Sequence, residues 1–188
     1  GRARDAEKFL DAVEAIGTLP TDERLVSEVR RLVFSSDSKL LAAGCNDGTV
    51  RILDVTQGRE IAKLSGHTKP IGTVAFSPDS LTLASGSEDN TVRLWDVRRA
   101  REVSKITCDA EVRWVAFSPD GKWLATRSNT TDVWELATLE RRLSTKGYGA
   151  FSSDGKVFAR KYGTLVDVWR LPDGDRVPES KDHFQWGL

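Results

Sequence analysis

The 188-residue sequence has no methionine, two cysteines, two histidines and no excess charge of either sign. Each scarcity narrows what the chain can do. Cys45 and Cys108 stand 63 positions apart (45 to 108), with no metal-ligand spacing around them. They make neither a disulfide framework nor a zinc site, and read as buried, reduced thiols of an intracellular, cytoplasmic protein. Only His67 and His183 are available as imidazole bases or ligands. With 28 basic and 28 acidic residues the net charge is zero. That balance argues against binding nucleic acid or an anionic membrane by bulk electrostatics. No apolar run reaches bilayer length, and no signal peptide opens the chain. The missing methionine, with glycine at position 1, leads to the expectation of a piece of a longer polypeptide.

Catalytic signatures are missing as well. There is no GxSxG elbow, HExxH helix, P-loop or Rossmann fingerprint. Glu88 and Asp89 are followed by Asn90 and Thr91, which is turn chemistry before it is acid–base chemistry. His183, beside Asp182, reads as solvated tail, and the basic run 98–101 ("RRAR") as an outer loop. The expectation is a non-enzyme with no catalytic residue, no metal and no cofactor.

What the sequence does have is repetition. "LVFSSD" (32–37), "VAFSPD" (74–79), "VAFSPD" (115–120) and "GAFSSD" (149–154) are four versions of one hexapeptide. Their phenylalanines recur at intervals of 42 (34 to 76), 41 (76 to 117) and 34 (117 to 151). Between them, period-two apolar alternation is cut by Ser, Pro, Asp, Gly and Asn. In the second copy "IGTVAF", "LTLASG", "TVRLWD" and "EVSKI" each read as a strand. Four short strands in about 40 residues form a hairpin meander, the unit of a β-propeller.

The second copy also carries Gly66-His67 ahead of its first strand and closes on Trp95-Asp96. On these residues the chain resembles the WD-repeat family over about 29–179. The likeness is specific in the first two copies and eroded in the last two. It implies an all-β fold of four-stranded antiparallel blades, here about 29–66, 67–108, 109–146 and 147–180. It also implies a hydrogen-bonded set inside a blade, which falls on His67, Ser85, Asp89 and Trp95. A buried imidazole and indole need such partners in any case. The first copy keeps Asp47 but has Ala43 and Leu53. The third keeps Thr126 and Trp134, while "CDAE" (108–111) stands where Gly-His would be.

Function is expected on loops, where repeats differ while their strand cores agree. The loops entering the innermost strands read "GHTKP", "CDAE" and "TKGY". They nominate Thr68, Lys69, Pro70, Asp109, Ala110, Glu111 and Arg113 as partner-binding residues, with Arg30 and Arg31 adding charge nearby. Trp114, at an innermost-strand position where the second copy has Thr73 and the fourth Tyr148, either fills a gap between blades or faces a ligand.

Before the repeats, Ala6, Phe9, Leu10, Val13 and Ile16 share one helical face, so residues 1–20 read as a short linker helix. Residues 181–188, with Phe184 and Trp186, read as a tail. Propellers of the resembled family usually close with seven or eight blades, and four leave two sheet faces to cover. The sequence therefore leads to a non-catalytic protein–protein interaction scaffold, completed by self-association (a homodimer making an eight-bladed ring) or by missing chain. The alternative is a regulatory or targeting domain of a larger enzyme. No nucleic acid or membrane partner is expected.

Overall fold

A computed structural model of the chain describes residues 29–171 and Asp175. The helix expected over 1–20, the tail over 181–188 and His183 lie outside the described residues. Within them every element is a strand, and the strands form consecutive antiparallel meanders. The first sheet is β1 (Val29–Phe34), β2 (Leu40–Cys45), β3 (Val50–Asp54) and β4 (Arg59–Leu64). The second is β5 (Ile71–Phe76), β6 (Thr82–Ser87), β7 (Thr91–Asp96) and β8 (Arg101–Thr107). The third is β9 (Trp114–Phe117), β10 (Trp123–Arg127), β11 (Thr131–Glu135) and β12 (Arg141–Thr145). The fourth is β13 (Tyr148–Phe151), β14 (Val157–Tyr162) and β15 (Leu165–Arg170), three strands among the described residues.

The repeated hexapeptide ends each first strand in the same hydrogen-bonded turn. The hydroxyls of Ser35, Ser77, Ser118 and Ser152 donate to Asp37, Asp79, Asp120 and Asp154 at 2.6–2.7 Å. Each serine oxygen also accepts the backbone N–H that opens the second strand, from Leu40, Thr82, Trp123 and Val157. The residue after the aspartate adopts a left-handed backbone in all four turns: Ser38 (φ 58), Ser80 (φ 60), Gly121 (φ 71) and Gly155 (φ 72). A serine tolerates that region at a cost glycine avoids. Between strands two and three the turn shortens along the chain. In the fourth sheet Tyr162 pairs directly with Leu165 across Gly163-Thr164, with Gly163 at φ 61.

The second strands are built for burial on both faces. β2 (LLAAGC) and β6 (TLASGS) are buried after their first residue. Their small residues let the next sheet approach. A Cβ on Gly44 would lie 2.6 Å from Ile71 Cγ2, and one on Gly86 2.5 Å from Val112 Cγ1. Alternation then sends opposite faces to opposite neighbours. Ala42, Val50, Ile52 and Leu64 of the first sheet pack on Phe76, Leu83 and Trp95 of the second. Ala84, Val92, Leu94 and Ile106 pack on Val115 and Leu124 of the third. Trp123, Ala125 and Val133 pack on Phe158 and Trp169 of the fourth. The sheets thus stack face to face like propeller blades, each core shared between neighbours.

Candidate functional site

The second sheet brings His67, Ser85, Asp89 and Trp95 together. The Trp95 indole N–H donates to Ser85 Oγ at 2.8 Å, and Ser85 Oγ lies 2.8 Å from His67 Nε2. On the other side of the ring, His67 Nδ1 lies 2.9 Å from Asp89 Oδ2. One proton arrangement satisfies every member: the serine hydroxyl donates to Nε2, and Nδ1–H donates to the carboxylate. Asp89 also accepts the Thr91 hydroxyl at 2.7 Å and the backbone N–H groups of Thr91 and Thr68 at 3.0 and 3.1 Å. Burial works against ionising Asp89, but these bonds outweigh it and hold its pKa at about 2. Burial also lowers the pKa of His67, against the pull of Asp89, so the imidazole is neutral at neutral pH. Both ring nitrogens are occupied and the side chain is inaccessible, which leaves no lone pair for a substrate or a metal. The loop carrying His67 is wedged against the preceding sheet. At Gly48, in the β2–β3 turn, φ is 80 and a Cβ would lie 2.8 Å from the His67 carbonyl.

The third sheet keeps half of this arrangement. Trp134 Nε1 donates to Thr126 Oγ1 at 2.9 Å. Cys108, from the loop that carries histidine in the second repeat, is buried, and its thiol is pushed up to about 11. Burial is the main cause and the nearby Asp132 adds to it; the Thr126 hydroxyl offsets part of the rise. The group is a protonated thiol at neutral pH, not a nucleophile. Cys45 is likewise buried and raised, chiefly by desolvation. Asp132 is buried and accepts the Thr130 hydroxyl. Among the described residues no cluster of three His, Cys, Asp or Glu side chains is arranged to hold a metal.

The partner-binding nominees lie on one edge of the stack, where chain enters β5 and β9. Thr68, Lys69, Asp109, Glu111 and Arg113 are exposed, and Pro70 and Ala110 half-buried. Glu111 and Arg113 form an open ion pair at 3.6 Å. Arg30, in a bulge of β1, pairs with Glu88 of the second sheet. Trp114 is half-buried and packs against the cluster between the third and fourth sheets. The sequence did not single out Arg127, whose guanidinium lies 3.7 Å from the Tyr148 ring centroid. The two residues belong to different repeats, and no local pattern pairs them.

Two clefts open at the opposite edge, among the strand-one-to-two and strand-three-to-four turns. One of about 540 Å³ lies between the second and third sheets, beside Pro78, Phe117 and Leu139. The other, about 820 Å³, lies between the third and fourth, beside Trp123, Glu135 and Lys156. Aspartates of the repeated turns line both.

Comparison with known proteins follows the same divisions. The family described as "WD domain, G-beta repeat" matches residues 58–96 and 101–135. The family described as "Anaphase-promoting complex subunit 4 WD40 domain" matches residues 13–76. A curated relative, "WD repeat-containing protein 91 homolog" of Dictyostelium discoideum, is 40% identical over 60 residues, which is 30% of this chain and 8% of that protein. The chain thus matches a small part of a much longer relative. It belongs to the WD-repeat family, whose repeats generally mediate protein–protein interaction.

Proposed function

We propose that this WD-repeat chain is a non-catalytic scaffold, binding a protein partner on loops at one edge of its stacked sheets. The observation that carries this is the closure of its polar clusters. The one described histidine has both nitrogens bonded inside a sheet, and the serine and aspartate pairs are bonded to their own turns. Among the described residues no base, acid and nucleophile remain to converge on a substrate. The loops at residues 68–70 and 109–113 are exposed, differ from repeat to repeat, and are held by rigid strands. In a pull-down, Lys69→Glu combined with Glu111→Lys is expected to reduce partner recovery while leaving the melting temperature nearly unchanged. Equal recovery would place the site elsewhere, and turnover of a substrate by this chain would overturn the reading.

The scaffold is completed by self-association or by further chain, and its two ends differ in what they offer. On the first sheet the face turned away from the second is already buried at Leu41, Ala43 and Leu53. On the fourth sheet Tyr148, Tyr162, Leu165 and Val166 are more than half exposed. No buried apolar cluster joins the fourth sheet to the first among the described residues. Completion therefore acts on the fourth sheet, with a homodimer forming an eight-bladed ring as one arrangement. Light scattering on the isolated chain tests it: a monomer that binds no apolar dye would exclude it. The length of the matched relative favours a second reading, a targeting or regulatory domain within a larger protein.

A further inference from the structure

At the loop-bearing edge, backbone pairing and one ring contact link Arg113, Trp114 and Arg127 of the third repeat to Tyr148 and Lys161 of the fourth. Arg113 donates its backbone N–H to the Arg127 carbonyl at 2.9 Å. Trp114 opposes Arg127 in the β9–β10 ladder. The Arg127 guanidinium crosses to the fourth sheet and covers the Tyr148 ring. Tyr148 opposes Lys161 in the β13–β14 ladder. Tyr148 remains 66% exposed, although Arg127 lies over its ring. Arg113 and Lys161 are exposed, and Trp114 and Arg127 half-buried.

Charge in this group is one-sided. It carries three cations; of the two exposed carboxylates in the entering loop, Asp109 and Glu111, Glu111 makes an open pair with Arg113 that contributes little in water. Arg127 and Lys161 have no ion-pair partner among the described residues. In a chain of zero net charge this is a local positive field. Arginine, tryptophan and tyrosine together are also the composition found at the centre of protein interfaces. Stacked on a ring, a guanidinium keeps its N–H edge free for bidentate contact with a carboxylate.

We infer that this group binds an acidic segment of a protein partner. Carboxylates of the segment engage Arg127, Lys161 and Arg113, and an apolar or aromatic side chain packs on Tyr148. The inference rests on the scaffold reading and supplies the chemistry of its partner. The test uses the full chain and three fluorescent peptides of equal length, each with one central tyrosine: Asp/Glu-rich, Asn/Gln-rich and Lys-rich. The acidic peptide is expected to bind at least about tenfold more tightly than the neutral one, with affinity falling as salt rises from about 50 to about 300 mM. Lys161→Glu, on an exposed site that leaves the fold intact, is expected to weaken acidic-peptide binding about tenfold, and Arg127→Glu with Lys161→Glu to abolish it. Lys105→Glu, at an exposed position of β8, is expected to leave it unchanged. Equal binding of acidic and neutral peptides, or wild-type affinity in the Lys161→Glu chain, would overturn the inference. Those results leave the scaffold reading intact, since it stands or falls on the Lys69 and Glu111 pull-down and on turnover.

Discussion

The second and third sheets share a fold but hold it differently. Both have the serine–aspartate turn between their first strands, and both shift register beside the third-strand tryptophan. In the second, Trp95 ends a chain of hydrogen bonds running through Ser85 and His67 to Asp89. In the third, Trp134 stops at Thr126, and a buried thiol sits on the loop that supplies histidine to the second. Trp95 is 2% exposed, whereas Trp134 is only half-buried. The meander therefore does not need the full polar set. Turns and shared apolar faces make the sheet, and the polar set anchors its entering loop.

The largest test of this contrast is tryptophan removal. Trp95→Ala is expected to cost about 3–5 kcal/mol, because it opens the first core cluster and leaves Ser85 short of a donor. Trp134→Ala should cost clearly less, since its ring is already partly in solvent. Urea unfolding of the two variants gives the comparison directly, and equal losses would mean the sheets are held alike.

Histidine removal comes next. His67→Ala is expected to cost about 1–3 kcal/mol by unpairing Ser85 and Asp89. Cys108→Ala should cost about 1 kcal/mol or less, as a small buried group with no strong bond to lose. A thermal melt in which the cysteine variant is the weaker of the two would contradict the division of labour proposed for the two loops.

The same histidine sets an acid response. Its folded pKa is lowered below the ordinary value of 6.5. In the window just below 6.5 the unfolded chain therefore takes up a proton that the folded chain resists, and stability falls with pH. A second loss follows as pH drops from 3.8 toward about 2, where folded Asp89 is protonated. Denaturation curves measured across pH 7 to 5 should slope for the wild type and flatten for His67→Ala. A His67→Ala curve as steep as wild type would assign the proton uptake to another group.

The smallest expected effect concerns a turn the four repeats share. Ser38 holds the left-handed position that glycine occupies in the third and fourth repeats. Ser38→Gly is expected to stabilise by about 0.5–1 kcal/mol. A lower melting temperature would show that the serine side chain contributes more than its backbone strain costs.

Much of this architecture is legible in one dimension because its causes are local. Period-two alternation, the FSxD hexapeptide and the glycine or asparagine turns each act within a few residues, so strands and turns can be read where they stand. His67, Ser85, Asp89 and Trp95 span 29 positions (67 to 95), yet they sit in one repeat and carry chemistry that demands partners. Cys108 reads as buried from the sequence, but its place beside Thr126 and Asp132 shows only once the strands are folded together.

What the chain order alone settles is the repeat: its strands, its turns, and which side chains share a face. Tertiary packing decides the rest, because contacts between repeats depend on how twisted sheets meet rather than on any spacing. Packing leaves the far face of the first sheet buried, while Tyr148 and Val166 of the fourth stay more than half exposed. It opens the two clefts beside the serine–aspartate turns, and it carries the Arg127 guanidinium onto Tyr148. A long flexible side chain reaching a neighbouring sheet obeys no sequence period, so that contact exists only in three dimensions.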